Sequence, residues 1–130
     1  MTTLIRALLV SSIVLAAGGA DAQSARTRRL MQEKLQHSQR ILAALTTSDY
    51  ALLQKEVQAL TRVTQSPQWT ELMSSGLTAY TGSFTKALAS LAAAADRRDF
   101  DAAGASYTAV TAACFSCHKH VMSSRIAQAP

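Results

Sequence analysis

The chain has 130 residues, with 13 Lys and Arg against 8 Asp and Glu, a formal net charge of +5 and only two Cys. Hydrophobic residues make up 48% and aromatics 5%, which is too apolar for a disordered chain and too poor in aromatic and β-branched runs for a sandwich or barrel. The length suits one domain, two Cys cannot staple a disulfide-rich secreted fold, and the charge favours an acidic partner or surface without naming one.

In chain order, Arg6 precedes an apolar run over residues 7–17, and the small-residue pattern Ala20-Asp21-Ala22 follows. This is the layout of a secretory signal peptide, with cleavage expected after Ala22. The run is too short for a spanning helix, which needs about 20 apolar residues. The competing reading is an uncleaved N-terminal anchor. We therefore divide the chain into a signal over residues 1–22 and one domain over 23–130, with no membrane span left after cleavage. Cleavage removes Arg6 and Asp21, so the net charge is unchanged. Export implies an oxidising compartment. Apart from Arg26, Arg28 and Arg29 the basic residues are scattered, which argues against a nucleic-acid partner.

Four helical segments are predicted. The first covers about 27–46, with Met31, Leu35, Ser38, Leu42 and Leu45 as one stripe, widened by Leu30 and Ile41. Glu33, Lys34, Gln36 and Arg40 fall mainly off it. The second covers about 50–65, with Tyr50, Leu53, Val57, Leu60 and Thr64 inward; Asp49 caps its start and Ser66-Pro67 breaks it. Residues 66–79 read as a loop that includes one helical turn. The third segment covers about 80–95, with Tyr80, Phe84, Leu88, Leu91 and Ala95 at helical spacing. Asp96-Arg97-Arg98-Asp99 forms a polar turn in which Asp99 caps the fourth segment, about 100–124. The stripe there is Ala103, Tyr107, Val110, Cys114, Cys117 and Val121. Four amphipathic helices joined mostly by short turns make an all-α, antiparallel four-helix bundle. Residues 49–52 and 99–102 look alike, which shared capping chemistry explains. No Gly-rich phosphate loop or Gly-x-Ser-x-Gly is present.

The segment that carries chemistry is Cys114-Phe115-Ser116-Cys117-His118. Cys-x-x-Cys-His is the attachment sequence for c-type haem. Thiols at i and i+3 share a helix face, within reach of the two vinyl groups on one porphyrin edge. His118 follows where its imidazole can serve as proximal iron ligand. A thioredoxin-type dithiol would expect a βαβ context, a structural zinc site lacks a fourth ligand, and an intrahelical disulfide closes too short a loop to stabilise much. The expected cofactor is one haem c per chain, covalently attached near the C-terminal helix.

With an export signal, four helices and this motif in the last of them, the chain resembles the cytochrome c′ family, the class II c-type cytochromes. The resemblance covers about residues 27–125, and its specific content is the placement of Cys114–His118 and the segment over residues 29–35. It implies two options. In low-spin members a Met on the first helix is the sixth iron ligand, and by resemblance Met31 falls there; in high-spin members an apolar residue leaves the iron open. Antiparallel topology agrees, since it brings the start of the first helix beside the end of the fourth. The competing reading of Met31 is a flexible core filler. Met122 is expected on the proximal side, Met73 in the unclear loop where it would need a long reach, His37 on the solvated surface, and His120 about 200° around the helix from His118. Trp69 is expected to plug the loop. The family often has an Arg four residues after the haem His and another one turn before the distal residue; here those places hold Met122 and Thr27. Arg28 is the best candidate for a propionate.

The resemblance implies a periplasmic, non-enzymatic single-electron carrier cycling between Fe(II) and Fe(III), with an unidentified, acidic redox partner and the option of a homodimer. The alternative is a five-coordinate protein that binds nitric oxide or carbon monoxide. The chain offers no convincing distal His for a peroxidase-like enzyme.

Overall fold

The computed structural model describes the backbone of residues 2–74 and 76–127 and the side chains of residues 22–74, 76–125 and 127. Most of the expected export signal over residues 1–22 lies outside the described side chains. Among the described residues there is no strand, and five helices follow one another: α1 (Thr2–Thr46), α2 (Tyr50–Thr64), α3 (Pro67–Ser74), α4 (Thr78–Asp96) and α5 (Phe100–Ala127). No helix among the described residues is long and apolar enough to cross a membrane.

α1, α2, α4 and α5 form the expected antiparallel bundle. α1 packs on α2, α2 on α4 and α4 on α5, whereas α1 and α5 meet only sparingly. Two tight turns close one end of the bundle, and they are built alike. Ser48 (φ 55°) and Arg98 (φ 54°) each take the left-handed conformation. The next N–H reaches back to end the preceding helix, Asp49 N–H to Ala44 O at 2.9 Å and Asp99 N–H to Ala94 O at 3.0 Å. The same two aspartates then cap the helices that follow: the Asp49 carboxylate accepts from Leu52 N–H at 2.9 Å and the Asp99 carboxylate from Ala102 N–H at 3.0 Å. Gln54 Nε2 donates to Asp96 Oδ1 at 3.3 Å and ties the two turns together.

Residues 66–79 differ from expectation. Instead of a loop with a single turn, α3 is a helix of eight residues. Pro67 occupies its first position, where a missing N–H costs nothing, and the Ser66 hydroxyl accepts from Trp69 N–H at 3.2 Å. α3 buries Trp69 and Met73 against the end of the bundle opposite the two turns.

The core lies toward the turn end. Its fully buried large side chains are Ile41, Leu53, Val57, Leu60, Leu91 and Val110. Burying each contributes roughly 1.5–3 kcal/mol. The stripe expected on α1 is rotated. Leu30, Ile41, Ala44 and Leu45 are buried, while Leu35 and Leu42 are 57% and 48% exposed. The reason is polar: the face turned toward α2 also carries His37, and α2 presents a buried Glu56, 2% exposed, to meet it. His37 Nδ1 lies 2.7 Å from Glu56 Oε2, and Arg40 Nη1 lies 3.7 Å from Glu56 Oε1. His37 is therefore half-buried and paired across the α1–α2 seam, not a solvated surface residue.

Candidate cofactor crevice

Where α1 and α5 separate, two adjoining chambers open beside the Cys-x-x-Cys-His segment. One, of about 380 Å³, runs between α1, α3, α4 and the end of α5; the other, of about 430 Å³, runs along the α1–α5 gap. Met31, Lys34, Phe84, Cys114 and His118 line both. The gap narrows toward the turn end at Tyr107, whose hydroxyl donates to Ser38 O at 3.0 Å, leaving the Ser38 hydroxyl to donate to Tyr107 at 3.2 Å.

α5 serves two purposes along one stripe. Ala103 and Val110 are buried in the core, and Cys114, Cys117 and Val121, further along, are half-buried on the crevice wall. The two cysteines are not joined in a disulfide. His118 stands at the exposed rim and lines both chambers. Burial pushes the Cys114 thiol up, and the neighbouring Lys34 ammonium pulls it back. Among the described residues no three His, Cys, Asp or Glu side chains gather to hold a metal ion by themselves.

The facing wall comes from α1. Met31 is half-buried, packs against the core cluster and borders both chambers. The stripe Met31, Leu35 and Ser38 thus faces the crevice and not the protein core. Arg28 lines the second chamber, and Thr27 and Arg125 line the first. Trp69 plugs the inner end as expected, tilted 39° against Phe84 with ring centroids 5.9 Å apart.

Two other methionines share the first chamber with Met31. Met73, expected in a loop at long reach, instead lies buried on α3 and lines the first chamber. Met122 lines the same chamber's mouth and is 64% exposed. His120 turns away from His118 and stacks on Tyr80, with centroids 4.7 Å apart and planes 26° apart.

The crevice residue that the sequence reading missed is Lys34. It falls off the expected core stripe, yet its Nζ points inward, 4.0 Å from the Phe84 ring centroid and 4.2 Å from that of Trp69. Burial holds its ammonium below the ordinary lysine value, with Cys114 and Cys117 acting in the opposite direction. The available signal was spacing: Thr27, Met31, Lys34 and Ser38 repeat at four, three and four residues, which is one helix face.

These side chains suit a flat apolar group with carboxylate arms, as haem is. The walls are mainly apolar, two thiols stand on one side with an imidazole beside them, and three cations line the chambers with no Asp or Glu.

No family model matches the chain, and no curated protein matches it. Solved structures do. One is the nitric oxide complex of a single-residue mutant of cytochrome c prime from Alcaligenes xylosoxidans, with a TM-score of 0.64 and 19% identity over 76% of this chain and 91% of that one. The fold is that of cytochrome c prime. A ferrous variant of the same protein with bound nitric oxide gives a TM-score of 0.62 and 20% identity, covering 78% of this chain and 92% of that chain. The bundle read from periodicity is therefore matched as an architecture. At this level of identity the cytochrome c prime likeness concerns the fold, and the crevice chemistry rests on this chain's own residues.

Proposed function

We propose that the chain is an exported monohaem c-type cytochrome that carries single electrons. The observation that carries this reading is that Cys114, Cys117 and His118 line a mainly apolar crevice between α1 and α5 in which, among the described residues, no Asp or Glu takes part. Cys114 and Cys117 would hold one haem c covalently as thioethers, and His118 would supply an imidazole nitrogen to its iron. Bound haem supplies a one-electron Fe(II)/Fe(III) couple. Met31 borders both chambers from α1 and is the proposed second protein ligand to the iron; its sulfur would exclude water and exogenous ligands and favour the ferrous state. Arg28 pairs with a propionate, with Arg125 the second candidate. Trp69 and Phe84 close the inner end against solvent.

The net positive charge steers the protein toward an acidic redox partner through a small, weak interface. The periplasm is the proposed location, and a homodimer is the proposed alternative to a monomer. The second reading is a five-coordinate gas-binding protein. It draws support from the fold neighbours, both of them nitric oxide complexes. The thioether of Met31 decides between the two.

Absorption spectra of the protein matured with covalent haem separate the readings. Low-spin spectra, a thioether–iron charge-transfer band and no response to carbon monoxide are expected. A high-spin spectrum that shifts with carbon monoxide would transfer the assignment to gas binding.

A further inference from the structure

Lys34 is half-buried on the crevice wall, and a lysine withdrawn from water usually has a partner. Lys34 has no carboxylate partner among the described residues, whose ion pairs all lie at Glu56. Its Nζ instead rests over the faces of Phe84 and Trp69. Aromatic faces attract a cation, by up to about 2 kcal/mol where water is excluded, but they carry no countercharge. A haem brings two carboxylates, yet these leave the porphyrin at the edge opposite the thioethers. Lys34 shares the first chamber with Cys114 and Cys117 and the second with Cys114, on the side of the crevice where the thioethers would form. Arg28 and Arg125 are the better placed groups for carboxylates, since each lines a chamber and is exposed.

We propose that Lys34 is a charge-tuning residue for the haem: its ammonium, placed in the crevice without a countercharge, raises the reduction potential by disfavouring the ferric state. This deepens the reading of the chain as an electron carrier and rests on it. The physical basis is Coulombic. Ferric haem carries one more positive charge than ferrous haem, and a fixed cation in a poorly solvated site repels that extra charge more strongly than in water. Net charge and burial are the protein's levers on haem potential besides the axial ligands. The sign holds for either sixth-ligand state, because Lys34 acts through space.

The test is spectroelectrochemical titration of the haem-loaded protein and of Lys34→Leu, Lys34→Gln and Lys34→Arg at fixed pH and salt. Both neutral variants are expected to titrate lower, by about a tenfold change in the ferrous-to-ferric ratio, or about 59 mV for a one-electron couple. Lys34→Arg is expected to stay near the parent. An unchanged or higher potential in the neutral variants overturns the proposal, and so does a drop in Lys34→Arg as large as theirs. A change of spin state in Lys34→Leu also overturns it, because Lys34 would then be an iron ligand. A parent chain that carries no covalent haem overturns the reading beneath and the inference with it.

Discussion

The two ends of this bundle use the same four helices in opposite ways. At the turn end, matched left-handed residues and aspartate caps hold helix pairs together, and Ile41, Leu53, Leu91 and Val110 fill the space between them. At the other end α1 and α5 part, α3 folds across, and the facing side chains are half-buried or polar: Met31, Lys34, Cys114 and Cys117. One end is finished by its own side chains. The other presents walls suited to a flat cofactor, so the place where the apolar core thins is the place where the chemistry sits. Tyr107 and Ser38 mark the boundary between them.

That contrast can be broken by mutation. The largest effect is expected in the filled half: Ile41→Ala removes a side chain with no exposure and should cost about 2–5 kcal/mol in chemical denaturation. A cost below 1 kcal/mol would mean that this half is not closely packed. Next is Glu56→Ala, which strips His37 of its partner in the α1–α2 seam; a loss of about 1–3 kcal/mol is expected from the stranded polar group. Asp99→Ala is expected to lose about 1 kcal/mol by removing the cap on Ala102 N–H, and Asp49→Ala a similar amount. Leu42→Ala, half-exposed on α1, should change stability by at most about 0.5 kcal/mol. If Leu42→Ala proved as costly as Ile41→Ala, the rotation of the α1 stripe would be wrong.

Reactivity sharpens the same comparison. Because burial raises the Cys114 pKa, less thiolate is present at a given pH than for an ordinary cysteine. Alkylation of Cys114 in the unmatured chain should therefore reach its half-maximal rate at a higher pH than alkylation of a cysteine in an unstructured peptide.

Much of this was legible in the sequence because the relevant physics is local. Asp49 and Asp99 announce caps by residue type and position, and the Phe84, Leu88, Leu91 stripe has one possible inner face. The Cys-x-x-Cys-His spacing points to its chemistry without reference to any neighbour. What was not legible depended on partners far along the chain. α1 carries apolar residues on two faces, one meeting α2 beside the His37–Glu56 pair and the other lining the crevice, and the sequence alone does not show which partner each face meets. Lys34 reads as solvated until Trp69 and Phe84, from two other helices, provide a surface for its ammonium. α3 escaped because a short helix gains its stability from packing Trp69 and Met73, not from propensity.

The central claim is that the crevice holds a haem through Cys114 and Cys117. Its most direct test is the intact mass of the exported chain, produced with haem-maturation machinery and measured under denaturing conditions beside the Cys114→Ser, Cys117→Ser double variant. The account predicts a parent chain heavier by one haem that survives denaturation, and a double variant with the mass of bare polypeptide. A parent chain of bare mass would contradict it.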